Sequence, residues 1–381
     1  MTKRTLLGLV LASVTGSALA ADISSVIFFD YTHDATEGGT SDGAFNFVRS
    51  YLTVSDKPVE NLAYRVQFDA GQVKSYTLAN GTTTVTDSDG DTVDINTYSL
   101  TSADAGFYVY VKSACVDWTT PAGVWTIGVQ PTNLNYTQDA TFGNRFLDLP
   151  LMDAHGFTSS ADLGLRWGKE FGLVKTSLMV QNGAGYKKAE NDRFKKISLN
   201  LAAGEQALNK KDGWNAGLVY SMEPYFSKDA AKIGDRTVQG VFGGWAGMGL
   251  RLGLEIDTKV TTEVKYKWNV ATSETTYDAH SKIADQNESI IGLTCDYKLP
   301  FAPGVAVFGR LDLYDPNVDE VNDDDMTSAD ESKNNETTIL VGAKWQPTKG
   351  LVIAPNLKMI SYEDSSRETA TYYRVNFEFK I

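Results

Sequence analysis

Apolar and polar residues alternate one for one in segment after segment of this chain, up to its last residue. Leu62, Tyr64, Val66 and Phe68 fall on one face of such a segment, and Arg65, Gln67 and Asp69 on the other. Met248, Leu250, Leu252, Leu254 and Ile256 stand against Arg251, Glu255 and Asp257, and Val305, Val307, Leu311 and Leu313 against Arg310 and Asp312. The final segment sets Tyr373, Val375, Phe377, Phe379 and Ile381 against Arg374, Asn376, Glu378 and Lys380. A period of two marks a strand with one apolar and one wet face. A soluble sandwich would alternate in the same way, so length and connections have to decide. The segments run to about ten residues, the length of a tilted strand that crosses a bilayer.

The connections alternate between short and long. Short ones include SDKPVE, DWTTPAG, GKEFG, WAGM, KLPFAPG and QPTKG; long polar ones lie around residues 75–102, 131–160, 183–194, 223–236, 261–286, 315–336 and 363–370. Short turns at one rim and long loops at the other describe a transmembrane antiparallel β-barrel. The expected fold is therefore all-β, about sixteen strands with both termini on the periplasmic side. The stretch 195–213 is poorly patterned and leaves that count open by about two. Tyr31, Trp118, Trp125, Trp167, Trp214, Trp245 and Trp345 fall near strand ends, where interfacial girdles would stand.

The chain opens MTKRTLLGLVLASVTGSALA, with Lys3 and Arg4, an apolar run from Leu6 and an A-x-A end at Ala18-Leu19-Ala20. This is the pattern of a cleaved secretory signal over residues 1–20, too short in its apolar part for a spanning helix. Beyond it the richest apolar run, from Val241, meets Arg251 too soon, so the chain is soluble or crosses a membrane as a barrel. The formal net charge of −13 becomes −15 when Lys3 and Arg4 leave with the signal, which argues against a nucleic-acid partner. Cys115 and Cys295 are the only two cysteines, too few for a disulfide framework, and each sits in a strand-like segment as a buried or lipid-facing thiol or half of a single bridge. No Pro, Ser or Gly linker divides the chain, so residues 21–381 read as one domain.

One interruption stands out. After TIGVQP the pattern stops for about thirty residues and resumes at ADLGLRW. Structureless connections of that length are uncommon unless they have a role, and this one, about 132–160, is expected to fold inward and narrow a pore.

Several stretches together carry a family resemblance. RSYLTVSDKPVENLAYRVQFD, the TIGVQPTN strand, NRFLDLPLMDAHGFTSSADLGLRWGKEFG returning from the loop and VQNGAGYKK after it look like the phosphate-selective porin O and P type of bacterial outer-membrane protein. The wording is similar over residues 44–190 and the rhythm over the rest. The resemblance implies a sixteen-stranded barrel, a homotrimer, an outer-membrane location with lipid and lipopolysaccharide as neighbours, and passage of small hydrophilic solutes. Two features depart from the family: the loop carries Arg145 with three aspartates and no lysine, and the chain ends in Ile381 where outer-membrane barrels usually end in phenylalanine.

In such a protein the chemistry is field and aperture. By parity Arg65, Arg166, Arg251, Arg310 and Arg374 point into the lumen, joined by Arg49 and, more weakly placed, Lys175 and Lys358. Arginines lining one channel would favour anions. Held instead by Asp69, Asp162, Glu255, Asp257, Asp312 and Glu378, they would form a structural wall network. In the loop, Asp139, Arg145, Asp148 and Asp153 would set a transverse field against that wall, or would lie in a solvated outer loop.

The acidic runs TVTDSDGDTVD (Asp87, Asp89, Asp91, Asp94), which lacks EF-hand order, and VDEVNDDDMTSADE (Asp319, Glu320, Asp323, Asp324, Asp325, Asp330, Glu331) could hold Ca²⁺ or Mg²⁺ loosely or be plain solvated loops. No organic cofactor is expected. His33, His155 and His280 all fall in expected outer loops, and neither G-x-S-x-G nor H-E-x-x-H occurs, so no hydrolase is expected. The alternative to a diffusion porin is a secreted or surface all-β protein whose acidic loops bind metal or sugar.

Overall fold

The computed structural model describes residues 21–39, 42–72, 75–86, 92–103, 107–190, 192–226, 233–271, 277–317 and 335–381. The strands run in sequence as antiparallel hairpins. They are β1 (Asp22–Asp34), β2 (Gly43–Val59), β3 (Leu62–Gln72), β4 (Ser75–Thr86), β5 (Thr92–Ala103) and β6 (Phe107–Thr120). Next come β7 (Gly123–Pro131), β8 (Ala161–Phe171), β9 (Val174–Gln181), β10 (Lys196–Gly204), β11 (Gly213–Phe226) and β12 (Ile233–Gly247). The last are β13 (Leu250–Ala271), β14 (Tyr277–Lys298), β15 (Val305–Asp315), β16 (Glu336–Thr348), β17 (Leu351–Tyr362) and β18 (Ala370–Lys380).

Sixteen of these strands close a barrel, with β1 pairing both β2 and β18; β3 pairs β6, and β4 and β5 form a separate two-stranded sheet. Closure reaches the final residue, since Ser25 and Ile381 exchange backbone hydrogen bonds at 3.2 and 3.0 Å. A closed sheet leaves no unpaired edge, the condition for strands to stand in hydrocarbon. Tight turns join β2 to β3, β6 to β7, β8 to β9, β12 to β13 and β16 to β17, all at one rim.

Alternation sorts the wall. On β13, Leu252, Leu254 and Ile256 are about two-fifths exposed on the outside, whereas Asp257 is 1% exposed within. The same outer band takes in Leu293, Val307, Leu313, Ile339 and Val341. Trp118 pairs with Trp125, Trp125 with Trp167, and Trp214 with Trp245, all near the short-turn rim.

Four segments differ from the sequence reading. The connection expected at 75–102 contains the β4–β5 hairpin. Much of 223–236 and 261–286 continues β11–β14 as strand, because ladder hydrogen bonds persist after the apolar face has ended. The poorly patterned 195–213 contains β10, whose Lys196, Ser198 and Asn200 are all buried inward. Cys115 is buried and Cys295 exposed; both are free thiols.

Candidate functional site

The connection from β7 to β8 leaves at Thr132 and returns at Ser160, whose carbonyl accepts the Thr132 amide at 3.3 Å. Its entry is fixed by Asn133, which donates to the Ser177 carbonyl (2.9 Å) and accepts from the Ser198 hydroxyl (2.6 Å) and, at its backbone carbonyl, from Asn200 (2.7 Å). A helical turn follows at Tyr136–Phe142 and a shorter one at Leu151–Ala154. Gly143 ends the first with φ +63°, the left-handed conformation that glycine adopts without strain.

This segment touches side chains around most of the barrel, so it lies in the lumen. Leu134, Leu151, Met152 and Phe157 pack on Ala202, Val219, Val238, Phe242 and Ile290. Phe146 and Leu147 pack on Phe28, Tyr51, Phe308, Leu340 and Ala354 from the other side. Those wall residues point inward although apolar, because they seat the loop. A signal for them existed: in Ile27-Phe28-Phe29, Ile290-Ile291 and Ile339-Leu340-Val341 alternation gives way to unbroken apolar runs.

Polar clamps complete the seat. Arg251 donates to the Phe142 carbonyl at 2.9 Å and pairs with Asp296 at 3.4 Å. Asp296 also accepts from Asn144 (3.0 Å) and pairs with Lys344. Arg310 grips Asp312 through Nε and Nη2, each at 2.7 Å, and donates Nη1 to the Leu149 carbonyl at 2.5 Å. Lys358 meets Asp148 at 2.5 Å, and Asn376 donates to the Phe146 carbonyl at 3.1 Å. Within the loop, Arg145 bridges Asp139 (3.2 Å) and Asp153 (3.0 Å).

The wall formed by β2, β3 and β6–β8 carries a second group of cations. Arg49 Nη1 donates to the Tyr51 hydroxyl at 3.0 Å, and Arg49 pairs with Asp69 at 3.4 Å. Lys112 donates to the same hydroxyl at 2.9 Å and lies 4.5 Å from the centre of the Tyr51 ring. Lys112 has no carboxylate partner among the described residues. It was missed in the sequence because a bulge on β6 shifts register between Gln67 and Phe68, so Lys112 and Ser113 are both buried inward. Asp69 accepts from the Tyr186 hydroxyl at 2.7 Å. Towards the short-turn rim, Arg65, Arg166, Lys175 and Asp117 line a cavity of about 630 Å³. Arg166 there donates to Thr126 at 3.1 Å, and Thr126 to Asp117 at 2.5 Å. On the long-loop side, Lys196, Glu223, Arg236, Lys259 and Glu288 line another of about 540 Å³.

The inward residues expected from parity thus divide by task. Arg49, Arg65, Asp69 and Arg166 belong to the wall opposite the main loop seat. Arg251, Arg310 and Asp312 face inward but hold the loop, with Arg310 and Asp312 only 5% and 3% exposed. Glu255 borders a small space beneath the first helical turn. Arg374 Nε donates to Asn356 at 3.1 Å while its Nη2 has no hydrogen-bond partner. Arg145 pairs with both Asp139 and Asp153 within the loop and also meets the Tyr51 hydroxyl of the wall, while Asp148 reaches across to Lys358.

The histidines correct another expectation. His33 lies in β1 and His280 in β14, while His155 is in the inward loop, its ring tilted 33° against that of Tyr314 with centres 4.3 Å apart. Of the acidic runs, Asp87, Asp89, Asp91 and residues 319–331 lie outside the described residues, as does the signal segment 1–20. Asp94 falls on β5. Among the described residues no group of three or more His, Cys, Asp or Glu is placed to hold a metal.

A closed sixteen-stranded antiparallel barrel with its third long connection folded into the lumen defines the architecture of outer-membrane porins. Solved structures share it. The anion-selective porin from Comamonas acidovorans superposes with a TM-score of 0.62 at 11% identity, covering 95% of this chain and 99% of that one. OmpF of Salmonella typhi, in complex with daunomycin, gives 0.59 at 11% identity, covering 95% and 97%. The trimer form of OmpT, an outer membrane protein of Vibrio cholerae, gives 0.55 at 11%, covering 95% and 99%. At such identities the likeness is one of fold. No protein-family model matches the sequence, and no curated protein does.

Proposed function

We propose that this chain is a diffusion porin of the bacterial outer membrane, passing small hydrophilic solutes and ions with a bias towards anions. It makes and breaks no bond. The observation that carries this reading is the lumen's asymmetry: the loop's ion-pair clamps fall on β13–β17, its apolar seat reaching round to Phe28 and Tyr51, and the wall from β2 to β8 carries Arg49, Arg65, Lys112 and Arg166 against fewer acids. In a narrow wet passage with low-dielectric walls, such a cluster concentrates counter-ions. The fold neighbour from Comamonas acidovorans, an anion-selective porin, supports that bias.

The trimer form of OmpT supports a homotrimer set in lipid and lipopolysaccharide. Phosphate, which the sequence resemblance suggests, is the first anion to test, although the loop itself offers Arg145 alone and no lysine. The acidic long loops are proposed to hold Ca²⁺ or Mg²⁺ loosely at lipopolysaccharide phosphates. The apolar outer band disfavours the soluble binding-protein alternative.

The test is single-channel conductance in a planar bilayer under a salt gradient. Wild type is expected to conduct in steps with an anion-selective reversal potential. In Lys112→Met the potential should move towards zero, the anion-to-cation ratio falling several-fold, since one charge near a passing ion contributes about 1 kcal/mol at 4 Å even in water. Silence at high protein load rejects the porin; steady conductance with unchanged selectivity in Lys112→Met rejects the basic wall as its source.

A further inference from the structure

The helical turn Tyr136–Phe142 does not seal against the barrel. Between it and β12–β14 lies a cavity of about 20 Å³, room for one water or one small ion. The Gln138 side chain is nineteen-twentieths buried; its Nε2 donates to the Leu134 carbonyl at 2.9 Å, and its Oε1 has no partner. Glu255 lines the same cavity, and its Oε2 is also buried without a partner. Thr294 completes the lining with a hydroxyl. The space depends on Gly253, where a Cβ would come within 2.6 Å of Thr294 Oγ1 and 2.9 Å of Thr141 Cγ2.

Charge selects the occupant. The nearest guanidinium, Arg310, is taken up by Asp312 and the Leu149 carbonyl. Asp257, next on the same face of β13, is 1% exposed, and neither of its carboxylate oxygens has a partner. A buried carboxylate without a counter-charge is costly. Water would satisfy the hydrogen bonds and leave that charge standing, whereas a cation answers both. The unpartnered acceptors are all oxygen, which suits a hard ion. Asp257 lies outside the cavity, so its lining offers one carboxylate among neutral oxygens, and a space for a single ion matches one positive charge.

We infer that Gln138, Glu255 and Thr294 bind a small hard monovalent cation of sodium's size, which pins the first helical turn of the inward loop to the wall. The consequence is a loop whose docking depends on the ions present.

The test reads unfolding rather than conductance, so it stands apart from the porin reading. The detergent-purified protein is melted in sodium chloride and in choline chloride at matched ionic strength and neutral pH, followed by tryptophan fluorescence. Wild type is expected to melt a few degrees higher in sodium. Glu255→Gln and Gln138→Leu, which keep the volume nearly constant, should melt at the same temperature in both salts, and Gly253→Ala, which fills the cavity, should do likewise. Equal melting of wild type in both salts overturns the proposal, as does a sodium effect that survives in Glu255→Gln and Gln138→Leu. Stabilisation of wild type by acid in choline, with none from sodium, overturns it as well and assigns a proton to Glu255.

Discussion

Arg310 and Lys112 are both inward cations on strands of one barrel, and their partners give them opposite roles. The Arg310 guanidinium meets Asp312 and a loop carbonyl and lies 4.9 Å from the Phe142 ring centre, so its charge is spent within the protein. Lys112, though buried, meets the Tyr51 phenol and the faces of Tyr51 and Tyr186 and has no carboxylate within ion-pair distance among the described residues, so its field is less fully cancelled than that of Arg310. Removing Arg310 would leave Asp312 buried and alone. Arg310→Ala is expected to destabilise the barrel by about 3–5 kcal/mol, and Arg310→Ala/Asp312→Ala to recover part of that loss. Urea unfolding in lipid vesicles reads both; equal losses in the single and double variants would reject the ion-pair account.

At the scale of the element, the inward loop has little regular structure and keeps its shape through its seat. His155 shows how that seat senses pH. Burial, above all, holds its imidazole below the ordinary histidine range, with Arg310 and Lys358 acting in the same direction against Asp312 and Asp148. The docked loop therefore keeps His155 neutral, while an undocked loop takes up a proton near pH 6.5. Docking is at full strength above that value and weakens as pH falls below it. Open-channel current noise should rise between about pH 7 and about pH 5 in wild type. It should stay flat in His155→Phe, which keeps a ring against Tyr314. A rise of equal size in the variant would place the sensor elsewhere.

The whole molecule depends on closure. Nine register pairs join β1 to β18, from Val26 opposite Lys380 to Asp34 opposite Tyr372. Deleting residues 370–381 would expose two strand edges in hydrocarbon, where unpaired backbone groups have no water to turn to. The truncated chain is expected to fail to fold into vesicles, seen as loss of the compact, unheated band on gel electrophoresis. A truncated chain that still gives that band would show that β1 and β17 can close a smaller barrel.

The sequence alone determined the wall. Alternation at Leu62–Asp69 or Val305–Leu313 is a local consequence of one apolar and one wet face, and connections alternate between short and long, so the number of barrel strands was legible. The position of the interrupting loop was legible for the same reason: the pattern stopped there. Tertiary structure decided which inward residues the loop covers. Arg251 and Arg310 have the same parity as Arg65 and Arg166, and only the path of the chain through the lumen separates clamps from open wall. It also decided Lys112, because a β-bulge changes the facing of one residue without leaving a mark in composition. Period two reports a residue's side of the sheet; what stands opposite it across the lumen is set by contacts far apart in the chain.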